Sequence, residues 1–273
     1  MGRFSTHLVP RFAATIVLAA TTALLGGQQA QAATPYTALG DSYSSGVGTR
    51  SYYSDSGECY RSSYAYPVLA AKQLGARLTF AACSGAKVAD VINNQLGSLN
   101  SGTRYVTVSV GGNDAGFAKV LTACARAWPY TCWKEIDAAN DFIRSTLPGR
   151  LDSLYSKISS RAPHATVVVA GYPKLFNGKE CNLASRISPG EQAELNKTAV
   201  LLRDVTKAQA TAHGFGFADT IPPFVGHAVC DSSEWINGLS NPILESYHPN
   251  RAGQSSGYTP VVRNQLSAVP APA

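Results

Sequence analysis

The sequence predicts an α/β fold, a three-layer sandwich with a central, mostly parallel five-stranded sheet and helices on both faces. Five short apolar segments of strand length occur at residues 36–39, 78–82, 105–110, 165–170 and 215–218. Segments with the helical spacing of apolar residues lie between them. Because helices alternate with strands, we expect neighbouring strands to be parallel, with the connecting helices covering both faces of the sheet.

Three helical patterns can be bounded. The first covers residues 64–74, and the second covers residues 133–160 as one helix or two, interrupted at Pro148. The third starts at Ser188, where Pro189 and Glu191 complete a capping box, and it ends at His213 with Gly214 as the cap. No linker, repeat or low-complexity tract divides residues 33–273, so we expect them to form one domain.

Residues 1–32 have the features of a signal peptide. Arg3 and Arg11 supply a positive region, residues 12–25 are apolar, and Ala30-Gln31-Ala32 is a small-x-small cleavage signal. The apolar stretch is too short for a stable membrane span. We therefore expect a secreted, extracellular protein that begins near Ala33 and has no integral membrane span.

Composition excludes several classes of partner. Loss of Arg3 and Arg11 with the leader lowers the formal net charge from +6 to +4, which is only mildly basic. No block of Lys and Arg stands out, so nucleic-acid binding is not expected. Six cysteines lie in the exported part, with no Cys-x-x-Cys or Cys/His zinc spacing. Disulfides are therefore expected rather than a metal, although six cysteines allow fifteen pairings in principle.

The run Gly40-Asp41-Ser42 follows the first predicted strand directly. It places Ser42 at the carboxyl end of that strand, where α/β folds carry their chemistry. Gly, Asp and Ser are also ordinary turn residues, so the run alone is a weak signal and more often marks a plain turn at the end of a strand. A serine nucleophile further requires a base and donors for an oxyanion.

Three further segments supply those groups. Cys83-Ser84-Gly85-Ala86 follows the second strand and offers the backbone N–H of Gly85. Gly111-Gly112-Asn113-Asp114 follows the third strand, and the amide of Asn113 is a donor of the kind that stabilises oxyanions. His248 stands just before Pro249, which we expect to open the last helix.

In this order the four segments resemble the SGNH (GDSL) hydrolases, and among them the secreted lipases and phospholipases of actinomycetes. The resemblance extends from about Tyr36 to the C-terminal helix and implies a flavodoxin-like version of the predicted fold. It implies that Ser42 is the nucleophile and His248 the general base. The oxyanion hole would consist of the N–H groups of Ser42 and Gly85 and the side chain of Asn113. The Gly-x-Ser-x-Gly elbow of α/β-hydrolases is absent around Ser42.

The family resemblance also implies that the cysteines pair with their neighbours along the chain. The expected disulfides are Cys59–Cys83, Cys124–Cys132 and Cys181–Cys230. Each would close a loop that borders the predicted site and contribute about 2–4 kcal/mol to stability.

One position departs from the family pattern. Many members have an Asp three residues before the catalytic His, and here that residue is Glu245. Glu245 could orient the imidazole as the third member of a triad. We favour instead a Ser42–His248 dyad whose imidazole is oriented by the backbone carbonyl of Ser246, with Glu245 as a solvated loop charge.

The remaining candidates have structural interpretations. His164 and His213 are predicted at the opposite end of the sheet, while His227 follows the fifth strand and could border the pocket. Asp41 and Asp114 are expected to cap or fasten turns. Aromatic residues are concentrated around the loops expected to rim the pocket, which suits an acyl chain or a lipid interface but also ordinary packing; they are Tyr43, Tyr52, Tyr53, Tyr60, Tyr64, Tyr66, Phe117, Trp128 and Trp133.

The sequence therefore predicts a carboxylic ester hydrolase of the lipase or phospholipase A type that needs no metal or organic cofactor. The expected substrate is an ester or lipid, with a lipid–water interface as one setting, and the expected oligomeric state is a monomer. A carbohydrate O-deacetylase on the same fold is the alternative within this chemistry. A second alternative is a binding protein on the same fold without catalytic activity. The joint presence of the four segments disfavours it.

Overall fold

The structure is a computed structural model that describes residues 1–5, 32–126, 129–181 and 187–268. The chain divides into two units, Met1–Ala32 and Ala33–Ala273. Most of the expected signal peptide lies outside the described residues, so that interpretation stays a prediction. Across the described part, no helix has both the length and the apolar character needed to cross a membrane.

Five parallel strands form one sheet in Ala33–Ala273, which confirms the predicted fold class. They are β1 (Pro35–Gly40), β2 (Arg77–Phe80), β3 (Tyr105–Ser109), β4 (Thr166–Ala170) and β5 (Gly216–Ala218). Their order is β2-β1-β3-β4-β5, and every pair is parallel. The chain runs outward from β1 to β2 and then returns across β1 to β3. This reversal creates a crevice beyond the carboxyl ends of β1 and β3.

Helices cover the sheet, and their bounds are α1 (Ser42–Ser45), α2 (Tyr66–Leu74), α3 (Val88–Asp90), α4 (Phe117–Cys124), α5 (Trp133–Ser145), α6 (Leu147–Arg161), α7 (Pro189–Ala212) and α8 (Thr259–Ala268). Helices α2 and α8 pack together as one layer, and α5 and α6 pack on α7 as the other. Two short π-helical turns adjoin these helices: Val91–Gln95 directly follows α3, and Gly253–Tyr258 directly precedes α8.

Two predicted helices differ in detail from those observed. The pattern at 64–74 becomes a helix that begins at Tyr66. The pattern at 133–160 becomes two helices that divide at Thr146 rather than at Pro148. Proline is tolerated in a first helical turn because that turn's N–H groups have no intrahelical partner, so Pro148 lies in the first turn of α6 instead of breaking the helix. The capping box of Ser188 and Glu191 is present as predicted.

The core lies on both faces of the sheet. Every residue of β4 is buried, as expected for a central strand covered on both faces. One stripe of α6, formed by Leu147, Leu151, Leu154 and Ile158, is fully buried. Burial of each such side chain stabilises the fold by about 1.5–3 kcal/mol, and the resulting rigid layers hold the loops at the strand ends.

Three disulfides fasten those loops, in the pairing that the resemblance implies: Cys59–Cys83, Cys124–Cys132 and Cys181–Cys230. Cys83 lies two residues before Gly85, so the first bridge fixes the loop that follows β2. The second joins the end of α4 to the residue before α5.

Candidate active site

Ser42 lies just beyond the carboxyl end of β1, at the first position of α1. Asp41 is the N-cap of that helix, and its carboxylate accepts a hydrogen bond from the N–H of Tyr43 at 3.0 Å. Gly40 has a φ of +125°, and a Cβ there would lie 2.4 Å from the carbonyl oxygen of Ser109. Only glycine fits this turn, which places Ser42 at the crevice with 7% of its surface exposed.

His248 lies against Ser42, although the two are far apart in sequence. Its Nε2 is 2.8 Å from the Ser42 Oγ, and its Nδ1 is 2.9 Å from the carbonyl oxygen of Ser246. Since a carbonyl only accepts, Nδ1 carries the proton and Nε2 offers its lone pair to the serine hydroxyl. Burial lowers the pKa of His248 to about 4, so the imidazole is neutral at neutral pH. The pair has the arrangement of a nucleophile and its general base.

The loop that carries His248 is fixed in part by contacts with residues 43–48. The Tyr43 hydroxyl donates to the carbonyl oxygen of Tyr247 at 2.7 Å, and the Tyr43 ring centroid lies 5.2 Å from that of the imidazole. Tyr247 has a φ of +59°, in the left-handed region. A Cβ at Gly48 would lie 2.8 Å from the Cβ of His248, so glycine is required for this close approach.

Glu245 is buried rather than solvated, which corrects its interpretation as a solvated loop charge. It is 2% exposed, and its carboxylate accepts a hydrogen bond from the Tyr52 hydroxyl. Within the described chain the other carboxylate oxygen has no hydrogen-bond partner, so neither oxygen bonds to His248. The geometry supports the Ser246 carbonyl as the group that orients the imidazole, and it gives Glu245 the task of tying its turn to Tyr52.

Donors for an oxyanion lie on the loops that follow β1, β2 and β3. In the described residues, the N–H groups of Ser42 and Gly85 donate to no protein acceptor. The Asn113 Nδ2 donates one hydrogen to the carbonyl oxygen of Ala86 at 3.1 Å and keeps a second for a ligand. Gly85 has a φ of +78°, a conformation that glycine adopts at little cost.

Asp114 fastens two of these loops together, in agreement with its structural interpretation. Its carboxylate accepts a hydrogen bond from the N–H of Val88 at 2.9 Å, which links the loop after β3 to the start of α3. Arg150 of α6 donates to the other oxygen at 3.0 Å. Asp41 has a comparable role in its own turn, and burial raises its pKa to about 6.

An apolar cleft of about 400 Å³ opens beside the dyad. One wall is α4, and the other is the loop that leads to His248. The lining residues are Tyr43, Asn113, Phe117, Ala118, Leu121, Thr122, Ala125, Leu239, Ile243, Leu244, Ser246, Tyr247 and His248. No charged side chain is among them, and Ile243 at the rim is 70% exposed.

Comparison with known proteins identifies the family. Residues 38–255, most of the chain, match the model of the GDSL-like Lipase/Acylhydrolase family. The chain belongs to this family. It is accordingly a carboxylic ester hydrolase, as the motifs predict.

Proteins from Streptomyces are similar to this chain along most of its length. "Lipase 1" of Streptomyces coelicolor is 47% identical over 259 residues, which cover 92% of this chain and 96% of that protein. The crystal structure of an extracellular lipase from Streptomyces rimosus has a TM-score of 0.81 and 46% identity, covering 85% of this chain and 100% of the other. Phospholipase A1 from Streptomyces albidoflavus NA297 has a TM-score of 0.82 and 45% identity, covering 86% and 100%.

An acetylxylan esterase from Geobacillus stearothermophilus shares the fold at a lower level. It has a TM-score of 0.54 and 15% identity, covering 85% of this chain and 94% of the other. This likeness shows the fold alone.

The other histidines of residues 33–273 have structural surroundings. His213 Nε2 lies 2.9 Å from an oxygen of Asp152. His227 stacks on Trp235 with ring centroids 3.6 Å apart and is absent from the cleft lining, so the expectation that it borders the pocket is wrong. His164 is exposed after α6, near the amino end of β4.

Sequence reasoning found only part of the cleft. Of the aromatic residues expected at the rim, Tyr43 and Phe117 line it, and Trp128 lies outside the described residues. Leu121 and Ala125 follow Phe117 at steps of four residues, a helical spacing that could have identified this wall. The opposite wall comes from an irregular loop, whose conformation has no periodic signal.

One cluster has the composition of a metal site. Cys124, Cys132 and Glu191 have ligand atoms within 4.8 Å of one another. The two sulfur atoms are bonded to each other, so neither is a thiolate ligand. Glu191 instead accepts a hydrogen bond from the N–H of Cys132 at 3.2 Å and takes part in the capping box of α7.

Proposed function

We propose that this protein is a secreted serine esterase that hydrolyses carboxylic esters of lipids, either acylglycerols or phospholipids. The observation that carries the proposal is the 2.8 Å contact between Ser42 Oγ and His248 Nε2 at an uncharged, apolar cleft. The Streptomyces relatives, which are named lipases and a phospholipase A1, support it.

The geometry supports an acyl-enzyme mechanism. His248 removes the proton from Ser42 as the oxygen attacks the ester carbonyl carbon, and the imidazolium that forms is held by the Ser246 carbonyl. The imidazolium then gives its proton to the leaving alcohol, which departs as the C–O bond breaks. Water, deprotonated by the same imidazole, attacks the acyl-Ser42 ester and releases the carboxylic acid and the free serine.

The tetrahedral intermediate carries a negative oxygen that needs fixed donors. The N–H groups of Ser42 and Gly85 and the free N–H of Asn113 are suited to this task because no described protein group accepts from them. Donors that are already in place need no reorganisation during the reaction.

The cleft favours an acyl chain over an acetyl group. Its α4 wall runs from Phe117 to Ala125, and eight helical steps correspond to a length of about 12 Å. An acetyl group would leave most of this apolar surface uncovered. A carbohydrate O-deacetylase therefore fits the cleft less well than a lipase.

Hydrolysis profiles test the proposal. The panel compares 4-nitrophenyl esters from acetate to palmitate, phosphatidylcholine, a triacylglycerol and acetylated xylan, with Ser42→Ala as the blank. Medium- or long-chain esters should give the highest kcat/KM, and an organophosphonate should label Ser42 covalently. Preference for acetylated xylan would replace the proposal with the deacetylase, and failure to label Ser42 would refute the mechanism.

A matched pair of variants locates the acyl chain. Ala118→Phe fills the cleft beside α4, whereas Lys119→Phe adds the same ring to a neighbouring exposed position outside the cleft. Ala118→Phe should lower kcat/KM for long chains much more than for acetate, and Lys119→Phe should affect both alike. Equal effects of the two variants would remove the cleft as the acyl site.

The proposal also includes the export of the protein, its oligomeric state and its action at a lipid surface. Residues 1–32 are the signal peptide, and residues 33–273 are the mature single domain, active as a monomer at a lipid–water interface with the exposed Ile243 at the rim of the cleft. The N-terminal sequence of the protein from culture medium should begin near Ala33, and light scattering should give the mass of one chain. Ile243→Ser should weaken hydrolysis of vesicles more than hydrolysis of soluble esters.

A further inference from the structure

Tyr172 connects two loops of the candidate site and was not singled out by the sequence. It follows β4 by two residues and is 8% exposed. Its hydroxyl donates to one carboxylate oxygen of Asp41, and the N–H of Gly112 points to the same hydroxyl at 3.4 Å. Asp41 precedes Ser42, and Gly112 precedes Asn113. The Tyr172 hydroxyl thus links the residue before the nucleophile to the residue before the amide donor.

The direction of these hydrogen bonds is determined by the surroundings. Burial and the neighbouring carboxylate of Asp41 raise the pKa of Tyr172 well above its ordinary value, so the phenol keeps its proton and donates it to Asp41. The other Asp41 oxygen accepts from the N–H of Tyr43 and from the Ser109 hydroxyl, each at 3.0 Å. Asp41 is therefore fixed at both oxygens.

We propose that Tyr172 is a positioning residue for the oxyanion hole, which sets the distance between the Ser42 N–H and the Asn113 amide. This inference rests on the proposed function. The hydrogen bonds of Asn113 and Asp114 attach their loop to the segment around Gly85 and α3. The Tyr172 hydroxyl attaches the same loop to the Ser42 turn. Hydrogen bonds therefore connect all three loops that carry the oxyanion donors.

Tyr172→Phe removes only the hydroxyl. The ring and its edge-to-face contact with Tyr43, with centroids 5.0 Å apart, are retained. One Asp41 oxygen and the Gly112 N–H lose a partner, so the direct link between the Ser42 turn and Gly112 is lost, while the contacts of Asp41 with Ser109 remain. We expect kcat for a soluble 4-nitrophenyl ester to fall about 10- to 100-fold with KM unchanged, because small displacements of catalytic groups have effects of this size.

Tyr155→Phe is the matched control. Tyr155 is fully buried in α6, and its hydroxyl has no hydrogen-bond partner among the described residues. Its removal should leave kcat and KM as in the parent. Titration of active sites with an organophosphonate corrects each rate for any inactive fraction, so a loss of folded protein does not imitate a loss of kcat.

A thionoester comparison separates positioning from general damage. Sulfur accepts hydrogen bonds weakly, so the oxyanion hole assists a thionoester much less than the corresponding ester. Tyr172→Phe should lower kcat for the ester more than for the thionoester and thereby reduce their ratio. A purely structural role would lower both rates equally and leave the ratio unchanged, which would overturn the proposal.

A double variant provides the second test. If Tyr172 acts through the Asn113 amide, Tyr172→Phe should cost much less in an Asn113→Ala background than in the parent. Fully additive losses would contradict the proposal. An inactive parent would instead refute the proposed function, so the two failures are distinguishable.

Discussion

Two buried carboxylates next to the proposed dyad have different surroundings. Asp41 adjoins Ser42 at the end of β1, and both of its oxygens have partners, including the hydroxyl of Tyr172. Glu245 lies three residues before His248 in a 3₁₀ turn, and the one described partner of its carboxylate is the hydroxyl of Tyr52. Both are paired with a tyrosine, but only Asp41 belongs to a network anchored on the sheet.

The difference indicates how each half of the dyad is positioned. The Ser42 turn is held by the sheet, because the N–H of Asp41 at the end of β1 donates to the carbonyl oxygen of Ser109 at the end of β3. The His248 loop lies outside the sheet and is held by a neighbouring loop: the N–H of Asn237 donates to the His248 carbonyl and the N–H of Tyr247 donates to the Asn237 carbonyl, each at 2.9 Å. The hydroxyls of Tyr43 and Tyr52 add contacts to the Tyr247 carbonyl and to the Glu245 carboxylate. Substitutions near Ser42 should therefore affect catalysis, and substitutions near Glu245 should affect mainly the stability of the loop.

The largest effect is expected from the dyad itself. Ser42→Ala and His248→Ala should each lower kcat by at least about 10⁴-fold, and the double variant should be little worse than either single one, because either change disables the same nucleophile. Rates are measured on a soluble ester, with circular dichroism to verify the fold. Additive losses would show that the two residues do not act as one unit.

Asn113→Ala tests the loops at the strand ends, and its expected effect on kcat is the second largest. Loss of one oxyanion donor should lower kcat about 10²- to 10³-fold, or about 2.7–4 kcal/mol, with KM and Tm nearly unchanged. Asn113 also donates to the Ala86 carbonyl, so Tm is the decisive control. A variant with low Tm and full activity when folded would make Asn113 a structural residue.

The same contrast explains how much the sequence could predict. The five strands, the capping box at Ser188 and the segments with Ser42, Gly85 and Asn113 were all identifiable, because strand ends and caps have local signatures. Tyr172 and Tyr52 carry no such signature. Each acts through a hydroxyl whose partner is more than a hundred residues away, as the pairs Asp41–Tyr172 and Tyr52–Glu245 illustrate.

Burial produced the remaining errors. Glu245 resembles a solvated charge in the sequence because a charged residue is seldom buried, and only the packed loop reveals its pairing with Tyr52. His227 lies after β5 as expected, yet its stacking on Trp235 keeps it out of the cleft. These outcomes depend on tertiary contacts of irregular loops, for which no periodic pattern exists.

Glu245 variants test the loop that carries His248, and a smaller effect on kcat is expected there. Glu245→Gln keeps an acceptor for the Tyr52 hydroxyl and leaves the Ser246 carbonyl in place, so kcat should fall less than about tenfold. Glu245→Ala removes the acceptor and should lower the free energy of unfolding by about 1–3 kcal/mol. Thermal unfolding and kcat are measured on both variants. A loss above about a hundredfold in Glu245→Gln with an intact fold would restore the triad.

The pH dependence of kcat/KM gives the smallest expected change and separates His248 from Asp41. The base must be neutral, and its lowered pKa of about 4 keeps it so as the pH falls from 7 to 5. Activity should therefore decline by less than about twofold over that range and be lost only near pH 4, whereas a histidine with the ordinary pKa of about 6.5 would lose most of its activity by pH 5.

Asp41→Asn assigns any loss that occurs at higher pH. Burial raises the pKa of Asp41 to about 6, so its protonation falls inside the same window and could disturb the Ser42 turn. A shallow decline near pH 6 that disappears in Asp41→Asn would belong to Asp41. A steep decline near pH 6 that persists in Asp41→Asn would show that His248 titrates at its ordinary pKa, and the lowered pKa inferred for this base would be wrong.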